Sequence, residues 1–238
     1  MDSRIEIIYE DADIIVCHKH AGIAVQTAGI GSKDMVSELK NYLKPAAGKK
    51  EPYLGIVHRL DQPVEGVMVF AKTARAAASL SRQVEKGEGG ATVSDTVASD
   101  NAAMGMRKIY QAEVVGHMEA PSGELKDYLI KDGKSNTSRV AEQAFVSSGQ
   151  AKPAVLRYEV KECFEETELL EIQLLTGRHH QIRVQLSHAG CPLAGDTKYA
   201  SEASAAYNRK HNIRTAALKA VRLEFSHPVT GTWMVFSI

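Results

Sequence analysis

Two short segments of this chain hold the residue types that acid–base chemistry needs. The first is His58-Arg59-Leu60-Asp61-Gln62-Pro63-Val64-Glu65-Gly66, which runs directly into the apolar stretch VMVFAK at 67–72. A polar quartet at a strand exit sits on a loop held by a rigid scaffold, a frequent setting for catalytic groups. Asp61 is the carboxylate it offers, although on residue types alone HRLD reads first as a surface turn with an Asp–Arg pair. The second segment is Thr176-Gly177-Arg178-His179-His180-Gln181-Ile182-Arg183, with two arginines and two histidines close together. A helix over 179–189 would put His180 and Arg183 on one face. A glycine turn opening that helix would present backbone N–H groups to a phosphate or carboxylate. The same pattern also fits a solvated basic helix start. Adjacent histidines on a helix point apart, and neither Cys nor Asp stands at ligand spacing beside them, so zinc is not expected here. A third segment, Lys108-Ile109-Tyr110-Gln111-Ala112, contributes a tyrosine on a strand, which alone reads as core.

The elements that must position these groups are mostly short strands. IEIIYE and DIIVCHK (13–19) are apolar and β-branched, with Asp11 and Asp13 in the turn between them. Val36, Leu39, Tyr42 and Leu43 fall at helical spacing. IVHRLD (56–61) reads as a strand end entering a loop, VMVFAK as a buried strand, and 74–84 as an Ala-rich helix. Lys86–Met106 is small and polar with no period, and is expected to be a flexible insertion loop, 86–106. KIYQAEVVG (108–116) is a strand, and 154–161 with 168–175 should form a hairpin. Segments 220–228 and 233–238 are two closing strands, and 200–209 is loop-like or helical. Many strands with few helices, in no regular βαβ order, predict an α+β fold with a mixed, mainly antiparallel sheet core and flanking helices.

Composition sets outer limits. The chain has 238 residues, 44% hydrophobic and 24% charged, enough for a true core; it is read as one catalytic domain, 1–238. No apolar run approaches the roughly 18 residues of a membrane span. The N-terminus lacks the pattern of a signal peptide, and the separated Cys17, Cys163 and Cys191 fit reduced thiols, so a cytoplasmic protein is expected. Net charge is +0, so electrostatics alone do not point to nucleic acid; a local basic patch would have to supply the grip.

In their order and spacing the segments resemble the RluA-type pseudouridine synthases. That family has HRLD-x-x-[TS]-x-G before an apolar strand and Ala-Lys, matched at 58–72, and K-x-Y-x-A, matched at 108–112. It also has TGR-x-HQIR-x-x-L followed by G-x-P and GD-x-x-Y, matched at 176–199, and L-x-F-x-HP, matched at 223–228. The opening 14–25 resembles its first turn and 126–140 its middle region. Two departures stand out: Val64-Glu65 where the family usually has Thr-Ser or similar, and Lys19-His20 where it usually has Lys-Pro. The small basic domain that many relatives carry ahead of the catalytic region is not seen before residue 1.

The resemblance implies an enzyme that isomerises uridine to pseudouridine in structured RNA, a ribosomal or transfer RNA stem-loop. Asp61 is implied as the catalytic carboxylate, acting as nucleophile or proton acceptor. Arg183 would hold it ionised and aimed, and Tyr110 would stack on the extruded uracil and assist proton removal from C5. Arg59 would fill the vacated stack, with His58, Arg178, His180 and Lys72 as further RNA contacts. Neither metal nor organic cofactor is implied, nor a membrane, and a monomer is the default. Two other readings remain: a non-catalytic RNA-binding relative of the same fold, and a nucleoside or glycoside hydrolase using Asp61 with Glu65 as a carboxylate pair.

Overall fold

The computed structural model describes residues 1–27, 33–44, 51–88 and 105–238. They form two compact units. One comprises Met1–Arg107 with Ala220–Ile238, the other Lys108–Lys219.

In the first unit, β1 (Ile5–Glu10), β2 (Ile14–Lys19), β4 (Glu65–Ala71) and β10 (Leu218–Ser226) are neighbours in that order. β3 (Gly55–Ile56) pairs with β4, and β11 (Trp233–Ser237) with β10. The turn after β1 is set by Asp11, whose Oδ1 accepts the N–H groups of Asp13 and Ile14 at 2.8 and 2.9 Å. Helix α1 (Met35–Leu43) starts with a capping box in which Asp34 and Ser37 satisfy each other's backbone N–H. Helix α2 (Ala74–Glu88) buries Ala76 and Leu80, one turn apart, on a sheet face made of Ile14, Val16, Val67, Val69, Leu223 and Phe225. Gln83 on the same helix is buried and exchanges two 2.8 Å bonds with the Ser226 backbone, so a polar side chain enters the core without an unmet group.

The second unit orders its strands β5 (Arg107–Val115), β9 (Thr167–Leu174), β8 (Lys152–Cys163), β6 (Ser122–Asp132) and β7 (Thr137–Val140). All four adjacent pairs are antiparallel. The β8–β9 hairpin is the one the alternation predicts, and α4 (Gln181–His188) and α5 (Glu202–Lys210) follow. Val184 of α4 packs with Leu129 and Ala154 against the partly buried Val140 and Tyr199.

The α+β class with a mainly antiparallel sheet is thus present in each unit. Three details differ from the sequence expectation. Of the expected insertion loop 86–106, Lys86, Gly87 and Glu88 continue α2 and Met106 is buried in the core with its N–H on the Gln83 carbonyl, while 89–104 lies outside the described residues. The polar stretch 126–140 turns out to be most of the β6–β7 hairpin, with Asn136 in the left-handed region. A short helix α3 (Gln143–Ser147) follows it. Among the described residues no helix is long and apolar enough to cross a membrane.

Gly66 in β4 is where this packing leaves no room. A Cβ there would lie 2.4 Å from Ala220 Cβ and 2.6 Å from its carbonyl oxygen, at a φ of +154. Gly66→Ala should lower unfolding free energy by about 1–3 kcal/mol, the usual cost of overpacking. Adding Ala220→Gly should restore only part of it, because the carbonyl clash stays. Urea titration of the three variants checks this, and a single variant as stable as wild type would refute it.

Candidate active site

The loop that carries Asp61 joins β3 to β4. Asp61 is half-buried and its carbonyl accepts the Val64 N–H at 3.0 Å, closing a turn; Val64 itself is buried. His58, just upstream, accepts the Val69 N–H on Nε2 at 3.1 Å, which fixes the neutral ring with its proton on Nδ1 and anchors the loop to β4. Arg59 points to solvent.

Lys19, at the end of β2, holds this loop from beneath. Its side chain has no exposed surface, and Nζ donates to the carbonyls of Val64 (2.7 Å), Gln62 (3.1 Å) and His20 (3.3 Å). The β2–β4 register puts Lys19 opposite Gly66, so the ammonium reaches back under the residues on either side of Pro63. Burial pushes the amine down to about 8, against the upward pull of the Asp61 and Glu65 carboxylates; Arg4 adds to the lowering. Asp61 and Lys19 therefore feel each other's charge.

Lys72 sits elsewhere. It follows the far end of β4, seven residues of strand from the Asp61 loop, or roughly 20 Å at about 3.3 Å per residue. It pairs with Glu10 at 2.6 Å and donates to the Asp11 carbonyl, so its described role is to tie down the β1–β2 turn.

In the second unit the TGRHHQIR segment is knitted by glutamine. Gln181 Oε1 accepts from the Thr176 hydroxyl (2.7 Å) and the Arg178 N–H (3.0 Å), while its Nε2 donates to the Val155 carbonyl and to Gln185. That network sets the tight turn, and Arg178 Nε donates to the Pro153 carbonyl at 2.9 Å. The helix does not begin at 179. It begins at Gln181, because His180 takes a left-handed φ of 54, a conformation that costs a non-glycine residue of order 1–2 kcal/mol. As a result the two imidazoles do not point apart: they stack at 3.8 Å and 24°. His179 meets the Ser138 hydroxyl at 2.9 Å, and His180 meets the Tyr199 hydroxyl at 2.7 Å. These contacts hold the strained turn in place.

Arg183 is buried on α4, and Asp196 takes its Nε and Nη2 as a fork, at 2.7 and 2.8 Å. Burial alone would raise the Asp196 carboxyl. The hydrogen bonds and charge of Arg183, with the N–H groups of Lys198 and Tyr199, outweigh it and hold the carboxyl below its ordinary range. The Arg183 guanidinium lies 5.1 Å over the Tyr199 ring. Tyr110, buried on β5 opposite Ile172 of β9, is the remaining expected residue of this unit.

Sequence reasoning singled out the candidate residues and not the groups that hold them. Lys19, Gln181, Asp196 and Tyr199 do the positioning. The signal for the last two was in view, since GDTKY at 195–199 was part of the matched pattern, but a motif match says nothing about what Asp196 grips.

The first unit thus carries a carboxylate loop clamped by a lysine, the second a buried arginine fork beside a strained turn, and the comparisons give the class of the chain. The family model for RNA pseudouridylate synthase matches residues 13–188, and the chain belongs to that family. It is 36% identical over 243 residues to the ribosomal large subunit pseudouridine synthase D of Vibrio cholerae, covering 99% of this chain and 67% of that protein. It is 34% identical over 244 residues to the protein of the same name from Escherichia coli O6:H1, covering 98% and 66%. The chain thus spans about two thirds of the length of these relatives. Among solved structures, human RNA pseudouridylate synthase domain containing 4 superposes with a TM-score of 0.70 at 22% identity, over 98% of this chain and 87% of that one. That likeness supports the fold. The chain is a pseudouridine synthase, an isomerase that acts on RNA.

Two consequences can be measured. Between pH about 8 and the ordinary lysine value near 10.4, the folded protein has released the Lys19 proton while the unfolded chain keeps it. Unfolding then takes up a proton, so this residue's contribution to stability rises with pH through that window, by at most about 1.4 kcal/mol per pH unit. Wild type should gain on Lys19→Met as denaturation is repeated from pH 7.5 to 9.5; parallel curves would place the titration elsewhere. Separately, Asp196→Asn removes the carboxylate that takes the Arg183 Nε–Nη2 fork and should cost about 3–5 kcal/mol. A variant within about 1 kcal/mol of wild type in guanidinium would show that the fork is dispensable.

Proposed function

We propose that this chain converts uridine to pseudouridine in large-subunit ribosomal RNA, with Asp61 as the group on which turnover depends. The observation that carries the reading is the pairing of HRLD at 58–61 with TGRHHQIR at 176–183, inside a family match that spans both. The relatives' names supply the RNA class.

The reaction breaks the N1–C1′ bond of a uridine, turns the base and rejoins it through C5. In this reading the Asp61 carboxylate acts at the sugar or base as nucleophile or proton acceptor. In this reading Arg183 is the cation that keeps it ionised, its own guanidinium held rigid by the Nε–Nη2 fork on Asp196. Tyr110 stacks on the extruded uracil, an interaction worth about 1–3 kcal/mol, and its phenol assists the final proton removal. Arg59, exposed beside Asp61, occupies the gap left by the flipped base. Arg178 contributes to the phosphate grip. His58, His180 and Lys72 act on RNA through the loop, turn and hairpin that their described bonds hold. In this reading the chain works as a monomer in the cytoplasm.

Asp61→Asn removes charge with little change of shape. It should abolish pseudouridine formation on ribosomal RNA from cells lacking the gene, while Kd for that RNA changes less than about threefold. Chemical mapping of pseudouridine reads the first and filter binding the second. An active Asn variant sinks the assignment of Asp61. A wild-type protein that binds the RNA and modifies no position makes it the non-catalytic relative, and release of free uracil would favour a hydrolase.

A further inference from the structure

Three strands of the first unit bring ligand-type side chains together away from the residues assigned above. Glu6 of β1 stands opposite His18 of β2 in the antiparallel register, and His20 lies two residues further along the same chain. Side chains two apart on an extended segment share a face, so His18 and His20 point one way and Lys19, between them, points the other. The two imidazole rings lie 4.1 Å apart at 42°. One ligand atom from each of Glu6, His18 and His20 falls within 4.8 Å of the other two. Glu65, at the start of β4, lies 2.9 Å from His18 Nε2, whereas His18 Nδ1 faces Glu6 Oε2 at 3.6 Å.

We infer that Glu6, His18 and His20 form a binding site for a divalent transition metal of the zinc type. A neutral imidazole carries one N–H, yet His18 has a carboxylate at each nitrogen. Protonating it would satisfy both carboxylates and leave His20, its ring tilted against it, with no part in the arrangement. A divalent cation accounts for all four groups. Glu6 supplies an oxygen, His18 its Nδ1 and His20 one ring nitrogen, with water completing a tetrahedral set. The Nε2–H of His18 then donates to Glu65. A carboxylate behind the far nitrogen of a metal-bound histidine is the usual means of fixing its tautomer and raising its basicity. Two imidazoles and one carboxylate suit zinc and its neighbours better than calcium or magnesium, which prefer all-oxygen shells. Glu6 is 68% exposed, which keeps the site open to solvent and its affinity moderate.

The other candidate cluster shows the contrast. Of Asp11, Asp13 and His227, the ligand atoms of Asp11 and His227 are already committed. The commitment is at Asp11, which accepts from the Tyr9 hydroxyl, from two backbone N–H groups and from His227 Nε2, and at His227, whose Nδ1 accepts from Thr230. His20, by contrast, stands where the resemblance has proline, so the proposed site belongs to this chain and not to the fold in general. A metal there would clip β1 to β2 at the end where Lys19 grips the Asp61 loop.

The test is titration of the chelator-treated full chain with Zn²⁺ by calorimetry at pH 7.5. One equivalent should bind with a Kd in the micromolar range and weaken at least tenfold in His20→Asn and in Glu6→Gln. Co²⁺ should give visible bands of a nitrogen–oxygen shell without the near-ultraviolet thiolate band that Cys17, Cys163 or Cys191 would produce. Far-ultraviolet circular dichroism checks that both variants are folded; Glu6 is on the surface, so its variant reads out even if the other fails. Absence of saturable binding, binding unchanged in Glu6→Gln, or a thiolate band would each overturn the site.

Discussion

Removing a lysine ammonium from water costs several kcal/mol unless other groups replace its hydration. At Lys19 three carbonyl oxygens do so, and two of them, Gln62 and Val64, bracket the turn that follows Asp61. The geometry of the Asp61 loop depends on this contact. Pro63 cannot donate a backbone bond, and the loop's own closure is one Val64-to-Asp61 hydrogen bond. The ammonium adds to the order given by the His58 anchor and the Gly22–Gln62 backbone bond, and places positive charge near the Asp61 carboxylate. Since β2 and β4 are fixed in register by six residue pairs, Lys19 cannot slide away from the loop without breaking the sheet.

The second unit meets a similar problem with a different device. Arg183 is buried on a short helix, and a guanidinium needs a partner that matches its planar fork. Asp196 provides it from a turn of its own, where Oδ1 also accepts the N–H groups of Lys198 and Tyr199. That turn in turn places Tyr199, whose hydroxyl meets both the Ser138 N–H and His180. One carboxylate thereby fixes an arginine, a tyrosine and a left-handed histidine. Such a site is stiff, and a stiff cation is more useful than a mobile one where charge must be held at a fixed place during reaction.

How far the sequence made this readable follows from which interactions are local. Alternation in 154–161 and 168–175 predicted a hairpin because both strands carry apolar residues on one face, and Ala74–Val84 declared its helix through Leu80 and Val84. The β6–β7 hairpin stayed hidden because nearly all of it is solvated, as its exposed Lys126, Lys131, Asp132 and Arg139 show, so no apolar period marks it. The start of α4 was misplaced by two residues because a left-handed His180 has no signature in residue type; it is imposed by Tyr199, nineteen positions away. Asp61 and Arg183 were legible from their motifs. Their supports, Lys19 and Asp196, were not, since a buried charge reveals its role only through the groups that surround it.

The balance of 29 basic and 29 acidic residues constrains how such an enzyme can hold RNA. Phosphate neutralisation is the salt-sensitive part of nucleic-acid affinity, and each neutralised phosphate steepens the salt dependence. With no net excess of cations, and with Lys72 and Arg183 paired to carboxylates within the fold, the grip on phosphates rests on local groups of cations and not on overall charge. Recognition can also draw on what does not scale with net charge: the stacking of a flipped base on an aromatic ring and the shape of the loops around it. This favours RNA in which the target uridine is already unpaired, because the energy needed to extrude the base is then smallest. A neutral chain with a rigid pair of charged supports is therefore suited to choosing its substrate by local RNA structure more than by overall attraction to the polymer.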